Sequence, residues 1–352
     1  MSPQDKLLFW FHKNKRDLPF RNKPTAYRIW VSEVMLQQTR VSAMLPIYNQ
    51  FLLRFPDMES LSQASEEEVM ANWRGLGYYS RARNLRKACM FVMSNYNGRF
   101  PDHLEDALEI PGVGPYTARA VLSMAYNKSY AVLDGNVKRV ISRLFTESDE
   151  KKWQDYADQF LNRSNPGDHN QAMMELGSMV CSPNPNCAIC PIAEHCKAKI
   201  TNTIALYPPA KKDREKLAIQ MHFYIIRRQG RFLLVKDRSR RFFKDMYALP
   251  FRIEPQDSEM NLPTEYKTPA YIQELIAELG TEPIPGTCSH SITHHKIQIH
   301  LHRCIKDLDF HRAILHGGSE KFTDYENLER DFPSSISKKM MNFSAWGGLF
   351  PS

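Results

Sequence analysis

The 352-residue chain is 42% hydrophobic and 24% charged, an ordinary globular composition with room for more than one core. It has no apolar run near the 18 or so residues of a membrane span, and its start, MSPQDKLLFWF, lacks a signal peptide's layout. A soluble cytoplasmic protein is expected, at the nucleoid if bacterial, with no membrane contact. The net charge of +8 is concentrated in two blocks: residues 1–100 carry 15 basic against 8 acidic groups, and residues 201–250 carry 12 against 4. That distribution suits a polyanionic partner, although solvated lysines on two surface faces give the same count.

From Pro3 to about Lys199 apolar residues recur at three- and four-residue steps, as in Ile29, Trp30, Val34 and Met35, so this region reads as helical. Glu33 falls on such a stripe, four residues after Ile29 and three before Leu36. A carboxyl held there loses hydration, its pKa rises, and it keeps a proton to donate; a salt-bridged glutamate at the rim fits the same pattern. Further on, Pro111-Gly112-Val113-Gly114 stands between two helical stretches as a helix-hairpin-helix signature. Its glycines let backbone approach a phosphate, and the next helix offers free N–H groups, a grip that reads no base sequence. A plain tight turn is the simpler alternative.

Leu133-Asp134-Gly135-Asn136 precedes the helical Val137–Phe145, placing Asp134 at or just before an N-cap. Helix-end N–H groups and the macrodipole favour its charged form, and capping alone would account for it. Two carboxyls pushed apart in pKa are also what cleavage of a sugar–heteroatom bond requires, one as proton donor and one as anion.

Cys181, Cys187, Cys190 and Cys196 lie within sixteen residues, and the seven cysteines are an odd number, a poor disulfide framework. Four thiolates so close can wrap one metal centre, and spacing alone leaves an iron–sulfur cluster and a zinc ion both open. Residues 201–217, with Pro208-Pro209 and a charged run, read as an exposed linker. Beyond it the period becomes two. Met221–Arg227 and Phe232–Lys236 are strands joined through Gln229-Gly230, Lys296–His302 alternates, and helices are expected at Pro269–Leu279 and after Asp331. The last third is therefore expected to be α+β on an antiparallel sheet.

Taken together, LPFR (18–21), WVSEVMLQQTRV (30–41), GLGYYSRARNL (75–85), IPGVGPYTARA (110–120), LDGNVKRV (133–140), NQAMMELG (170–177) and the cysteine loop resemble the MutY adenine-DNA glycosylases of the endonuclease III-like superfamily. The resemblance covers nearly the whole chain. It implies a multidomain protein with an all-α helix-hairpin-helix core over 1–200: a six-helix barrel lobe at about 24–130 and a cluster lobe from about 1–23 and 131–200. The linker at 201–217 and a Nudix-like α+β domain at 218–352 follow. It also implies a [4Fe–4S] cluster on the four cysteines.

Position by position, the resemblance makes Glu33 the catalytic acid and Asp134 the group facing the sugar cation, supported by Tyr116 and Asn136. Arg21, Gln171, Leu18 and Trp30 would form the adenine pocket. Gln38, Thr39, Leu76 and Tyr78 would contact DNA around 8-oxoguanine, with Gly112, Val113 and Gly114 on the backbone. Ile292, Thr293 and His294 stand in His290-Ser-Ile-Thr-His-His295, which looks like the family's 8-oxoguanine loop. Ile292 replaces the usual phenylalanine, and the first cysteine gap is five residues where six is usual. Bifunctional relatives carry a nucleophilic lysine where Tyr116 stands; a phenol forms no imine, so a monofunctional enzyme is expected.

The implied partner is double-stranded DNA with A:8-oxoguanine or A:G mispairs, bound by a monomer. A pyrimidine-lesion glycosylase with lyase activity and a non-catalytic lesion-binding protein are the rivals. A Nudix hydrolase is disfavoured, since the region lacks the clustered carboxylates that hold magnesium.

Overall fold

The structure, a computed structural model, describes residues 1–22, 24–210, 216–237, 239–244, 246–257, 260–292, 294–309 and 319–342. The chain forms two compact units, Met1–Lys211 and Lys212–Ser352. Among the described residues no helix is long and apolar enough to cross a membrane.

The first unit is helical: α1 (Pro3–Asn14), α2 (Pro19–Asn22), α3 (Ala26–Leu36), α4 (Val41–Arg54), α5 (Met58–Gln63), α6 (Glu66–Asn72), α7 (Ser80–Tyr96), α8 (Leu104–Glu109), α9 (Pro115–Tyr126), α10 (Gly135–Phe145), α11 (Trp153–Phe160), α12 (Pro166–Met179) and α13 (Lys197–Ile200). Between residues 24 and 130 there are seven helices among the described residues, where six are expected. Ser65 accounts for one division: its hydroxyl accepts from the Glu68 N–H, starting α6 directly after α5 ends. The core here is aromatic, with Trp30, Tyr48, Phe51, Phe55 and Trp73 all buried. Each such side chain removed from water contributes about 1.5–3 kcal/mol.

A second core in the same unit joins the N-terminal helix to the later ones. Leu7 and Phe11 of α1 pack with Val140 and Leu144 of α10, Phe160 of α11, and Met173 and Leu176 of α12. The stretch expected to be an exposed linker is partly bound to this unit: Thr203 N–H donates to the Ala198 carbonyl, and Arg143 donates through Nε to the Tyr207 carbonyl. A buried arginine anchoring that backbone is invisible in local composition.

The second unit carries β1 (Leu217–Ile225), β2 (Arg227–Arg228), β3 (Arg231–Lys236), β4 (Tyr247–Ala248), β5 (Phe251–Pro255), α14 (Ala270–Leu279), β6 (Thr281–Ile292), β7 (His295–Cys304), β8 (Ser319–Thr323), α15 (Tyr325–Asp331) and α16 (Ser335–Met341). Gln229 and Gly230 both adopt positive φ, as a two-residue hairpin turn demands, and join β2 to β3 with Arg228 opposite Arg231. The sheet ordered β5-β1-β7-β6 is mixed rather than antiparallel, because β1 and β7 run parallel from Leu217↔His295 to Ile225↔Arg303. The connection between them contains α14 and is long enough for a parallel return, which strand periodicity does not reveal. The helix expected after Asp331 is α16, and a further helix, α15, precedes it, starting at the Asp324 cap and ending at Asp331.

Candidate active site and cysteine loop

A cleft of about 1200 Å³ opens in the helical unit, lined by Leu18, Arg21, Glu33, Gln38, Thr39, Tyr116, Asp134, Asn136, Gln171 and Glu175 among others. It exceeds the 300–1,000 Å³ common for small-molecule sites. Glu33 reaches it from α3, whose first turn is capped by Thr25 accepting from the Arg28 N–H at 3.2 Å. Only 4% of Glu33 is exposed. Tyr116, in the first turn of α9, donates its hydroxyl to Glu33 Oε2. Burial pushes the Glu33 carboxyl up to about 7; the Tyr116 hydrogen bond opposes this, the Asp134 charge adds to it, and Arg21 offsets part of it. Burial and then the Glu33 charge hold the phenol well above its ordinary value, so Tyr116 stays a donor.

Asp134 is the N-cap of α10. Its Oδ1 accepts from the Val137 N–H at 2.7 Å and its Oδ2 from Asn136 Nδ2 at 3.2 Å. The expectation that the helix end would hold this carboxyl low is overturned, because its pKa is raised. Burial is the largest influence and outweighs the hydrogen bonds from Val137 and Asn136. The two carboxyls are thus displaced in the same direction.

Behind Asn136 stands Arg139, whose Nη2 donates to Asn136 Oδ1 at 2.9 Å and to the Gly177 carbonyl at 2.6 Å, and whose Nε donates to the Cys181 carbonyl at 2.7 Å. A side chain at Gly177 is excluded: its Cβ would lie 2.7 Å from Asn136 Cβ. Helices α10 and α12 therefore pack backbone to backbone under the aspartate.

Arg21, expected in the pocket, is held at the wall by Glu175. Its two terminal nitrogens lie 3.3 Å from the Glu175 carboxylate oxygens, and Arg16 donates to the same carboxylate from Nε at 2.8 Å and Nη2 at 2.6 Å. Burial alone would raise the Glu175 pKa, but the hydrogen bonds from Arg16 and Arg21 outweigh it and bring the group down to about 2. Gln171 and Leu18 line the cleft as expected. Trp30 does not: it is buried in the aromatic core, edge-on to Phe100, and is absent from the cleft wall.

Gln38 and Tyr78 are exposed and both take positive φ, 57° and 46°. Thr39 joins Gln38 on the cleft lining. Leu76, expected at the DNA surface, is 6% exposed and packs inward; the turn requires an apolar anchor beneath it. In the hairpin between α8 and α9, Gly112 has φ +80°, a conformation that favours glycine, and the Val113 N–H donates to the Ile110 carbonyl at 3.0 Å with Val113 buried. Gly114 caps α9 without a side chain and has open space at its Cβ position.

The four cysteines of 181–196 are all free and half-buried and line one pocket with Arg143 and Ile204. Among the described residues, no three His, Cys, Asp or Glu side chains are grouped as a single metal ion requires. The Cys190 thiol is pushed up to about 11, first by burial and then by the charges of Cys181, Cys196 and Cys187. Arg143 brings Nη1 to 3.4 Å from Cys181 Sγ. The four thiols line one pocket beside a guanidinium, and sulfur donors of this kind are what iron–sulfur and zinc centres use.

Residues 31–163 match the HhH-GPD superfamily of base excision DNA repair proteins. An adenine DNA glycosylase of Buchnera aphidicola subsp. Acyrthosiphon pisum is 37% identical over 254 residues, covering 69% of this chain and 72% of that protein. The chain belongs to the adenine DNA glycosylase family. The human adenine DNA glycosylase is 40% identical over 211 residues, 55% of this chain and 38% of its own. A solved thermostable thymine-DNA glycosylase superposes with a TM-score of 0.53 at 27% identity, over 56% of this chain and 95% of its own.

For this adenine DNA glycosylase family member, the 290–295 stretch that the sequence offers for 8-oxoguanine lies at the β6–β7 turn. His294 is exposed, whereas Ile292, expected to face DNA, is half-buried and packs against the sheet core. A β-branched aliphatic at a strand end lowers its free energy by turning inward. Thr293 lies outside the described residues. His295 anchors the turn, buried with Nε2 at 2.8 Å from the Tyr266 hydroxyl. The reading of the sequence missed Glu175, Arg139 and Arg81. The acidic and basic members lie inside motifs already singled out, but a charged residue's buried partner many positions away leaves no local trace.

Proposed function

We propose that the protein removes adenine mispaired with 8-oxoguanine, and with guanine, from duplex DNA by hydrolysing the N-glycosidic bond, opening base excision repair. The observation that carries the reading is Glu33, a buried carboxyl pushed up to about 7 and bonded to Tyr116 in the cleft that Asp134 shares. Near neutral pH a protonated Glu33 delivers its proton to the departing adenine, and Asp134, with its two hydrogen bonds, faces the positive sugar. Burial raises both carboxyls, and the Asp134 charge raises Glu33 further, so Glu33 is the one that holds the proton. Arg21 and Gln171 border the base, and Asn136 fixes Asp134. Tyr116 supplies no amine, so strand cleavage through an imine is not expected.

A [4Fe–4S] cluster on Cys181, Cys187, Cys190 and Cys196 would supply a cross-link for a loop that carries little regular structure. A zinc ion is the lesser reading, because thiols ringing a pocket suit a multi-atom group. We assign the C-terminal unit a Nudix-like fold and the 292–294 turn the contact with 8-oxoguanine, with the protein acting as a monomer. Single-turnover adenine release from A:8-oxoguanine, A:G, A:T and thymine-glycol duplexes tests the reading. Selective release from the first two supports it. Tight binding without release would favour a lesion-binding protein, and a borohydride-trapped adduct would favour the lyase.

A further inference from the structure

Arg81, in the first turn of α7, reads in the sequence as one cation among many in GLGYYSRARNL. In the structure its guanidinium spans two segments, the end of α3 with the 37–39 turn that lines the cleft, and the 76–77 turn. Nη1 lies 2.8, 3.1 and 2.5 Å from the carbonyls of Val34, Met35 and Gln37, at the C-terminal end of α3. Nη2 lies 3.4 Å from Thr39 Oγ1, and 3.2 and 3.3 Å from the carbonyls of Leu76 and Gly77. The ring of Trp73 and that of Tyr78 sit 5.6 and 5.7 Å from its centre.

The last carbonyls of a helix have no partners within it, and a cation there complements the macrodipole. Arg81 meets both needs of α3 and, with the other arm of a rigid fork, ties the 76–77 turn to the same point. Each segment carries one exposed residue at a backbone angle that L-residues disfavour, Gln38 at φ 57° and Tyr78 at φ 46°. A clamp on neighbouring carbonyls keeps those conformations occupied in the free protein.

We infer that Arg81 is a positioning residue that presents Gln38 and Tyr78 together to the DNA, so that both turns are ordered before the duplex arrives. The inference rests on the proposed entry of those two side chains into the duplex. Preorganisation acts on binding, since the ordering cost is otherwise met at association, and leaves the proton transfer at Glu33 untouched. Lysine, with one nitrogen, cannot bridge the two segments.

The test combines Arg81→Met and Arg81→Lys with Gln38→Ala/Tyr78→Ala. It measures the Kd for a duplex holding an uncleavable 2′-fluoroadenosine opposite 8-oxoguanine, and the single-turnover rate constant at saturating protein. Both Arg81 variants should weaken binding by about tenfold or more while the saturated rate constant stays within about threefold, and most of the binding loss should vanish in the double-alanine background. If Arg81→Met does not fold, Arg81→Lys carries the same comparison. Losses that add in the double-alanine background, equal losses in binding and rate, or parent-like binding by the Arg81 variants would overturn the role of Arg81. Parent-like binding by the Gln38→Ala/Tyr78→Ala protein itself would instead overturn the entry of those side chains, and Arg81's role with it.

Discussion

The helical unit and the C-terminal unit treat their functional polar groups in opposite ways. In the cleft, Glu33 and Glu175 are buried carboxyls with named donors, Tyr116 for one and Arg16 with Arg21 for the other. Among the described residues at the β6–β7 turn, His295 is buried and bonded, while His294 stands exposed. Bond cleavage needs groups already stripped of water and held in one geometry, whereas recognition of a surface leaves its contacts solvated until the partner arrives. Substitutions in the first region should therefore abolish an activity, and those in the second should shade a preference.

The largest effect is expected at Glu33. Glu33→Gln keeps the shape and removes the proton, so single-turnover adenine release should fall by roughly 10²–10⁴-fold with duplex binding retained. Asp134→Asn should lose roughly 10²–10³-fold in the same assay. Asparagine caps helices as well as aspartate, so thermal unfolding should place this variant's Tm beside the parent's; a large drop in Tm would instead mark Asp134 as a cap and little more.

Glu175→Ala breaks the comparison from the stability side. It leaves Arg21 nearly buried without its anion, at a cost of roughly 3 kcal/mol measurable by urea unfolding. The Glu175 pKa is lowered to about 2 from 4.5, so its contribution is complete above about 4.5 and is lost as pH falls towards 2. The parent and the variant should converge in stability at that acid limit. The smallest change belongs to His294→Ala, expected to narrow the preference for A:8-oxoguanine over A:G by less than about tenfold, with the saturated rate constant unchanged.

Legibility in the sequence followed the range of the interactions. Asp134 as a cap, the hairpin at 111–114 and the turn at Gln229-Gly230 depend on residues within four positions of one another, and each is found where the local pattern places it. The raised pKa of Asp134 is not legible in the local pattern, because burial dominates it and burial is set by tertiary packing. Likewise the Arg16–Glu175 pair, 159 residues apart, and the parallel pairing of β1 with β7 belong to tertiary structure. The resemblance assigns Trp30 to the adenine pocket and Leu76 to the DNA, and in the fold both side chains are buried.

The central claim is that a buried Glu33 carries the catalytic proton. Its most direct test is the single-turnover rate constant for adenine release from an A:8-oxoguanine duplex, followed between pH 5 and 9. With the carboxyl pushed up to about 7, the protonated form prevails below that value and the rate constant should fall as pH rises through it, with no such step in the residual activity of Glu33→Gln. A rate constant flat across this range, or the same inflection surviving in Glu33→Gln, would contradict the account.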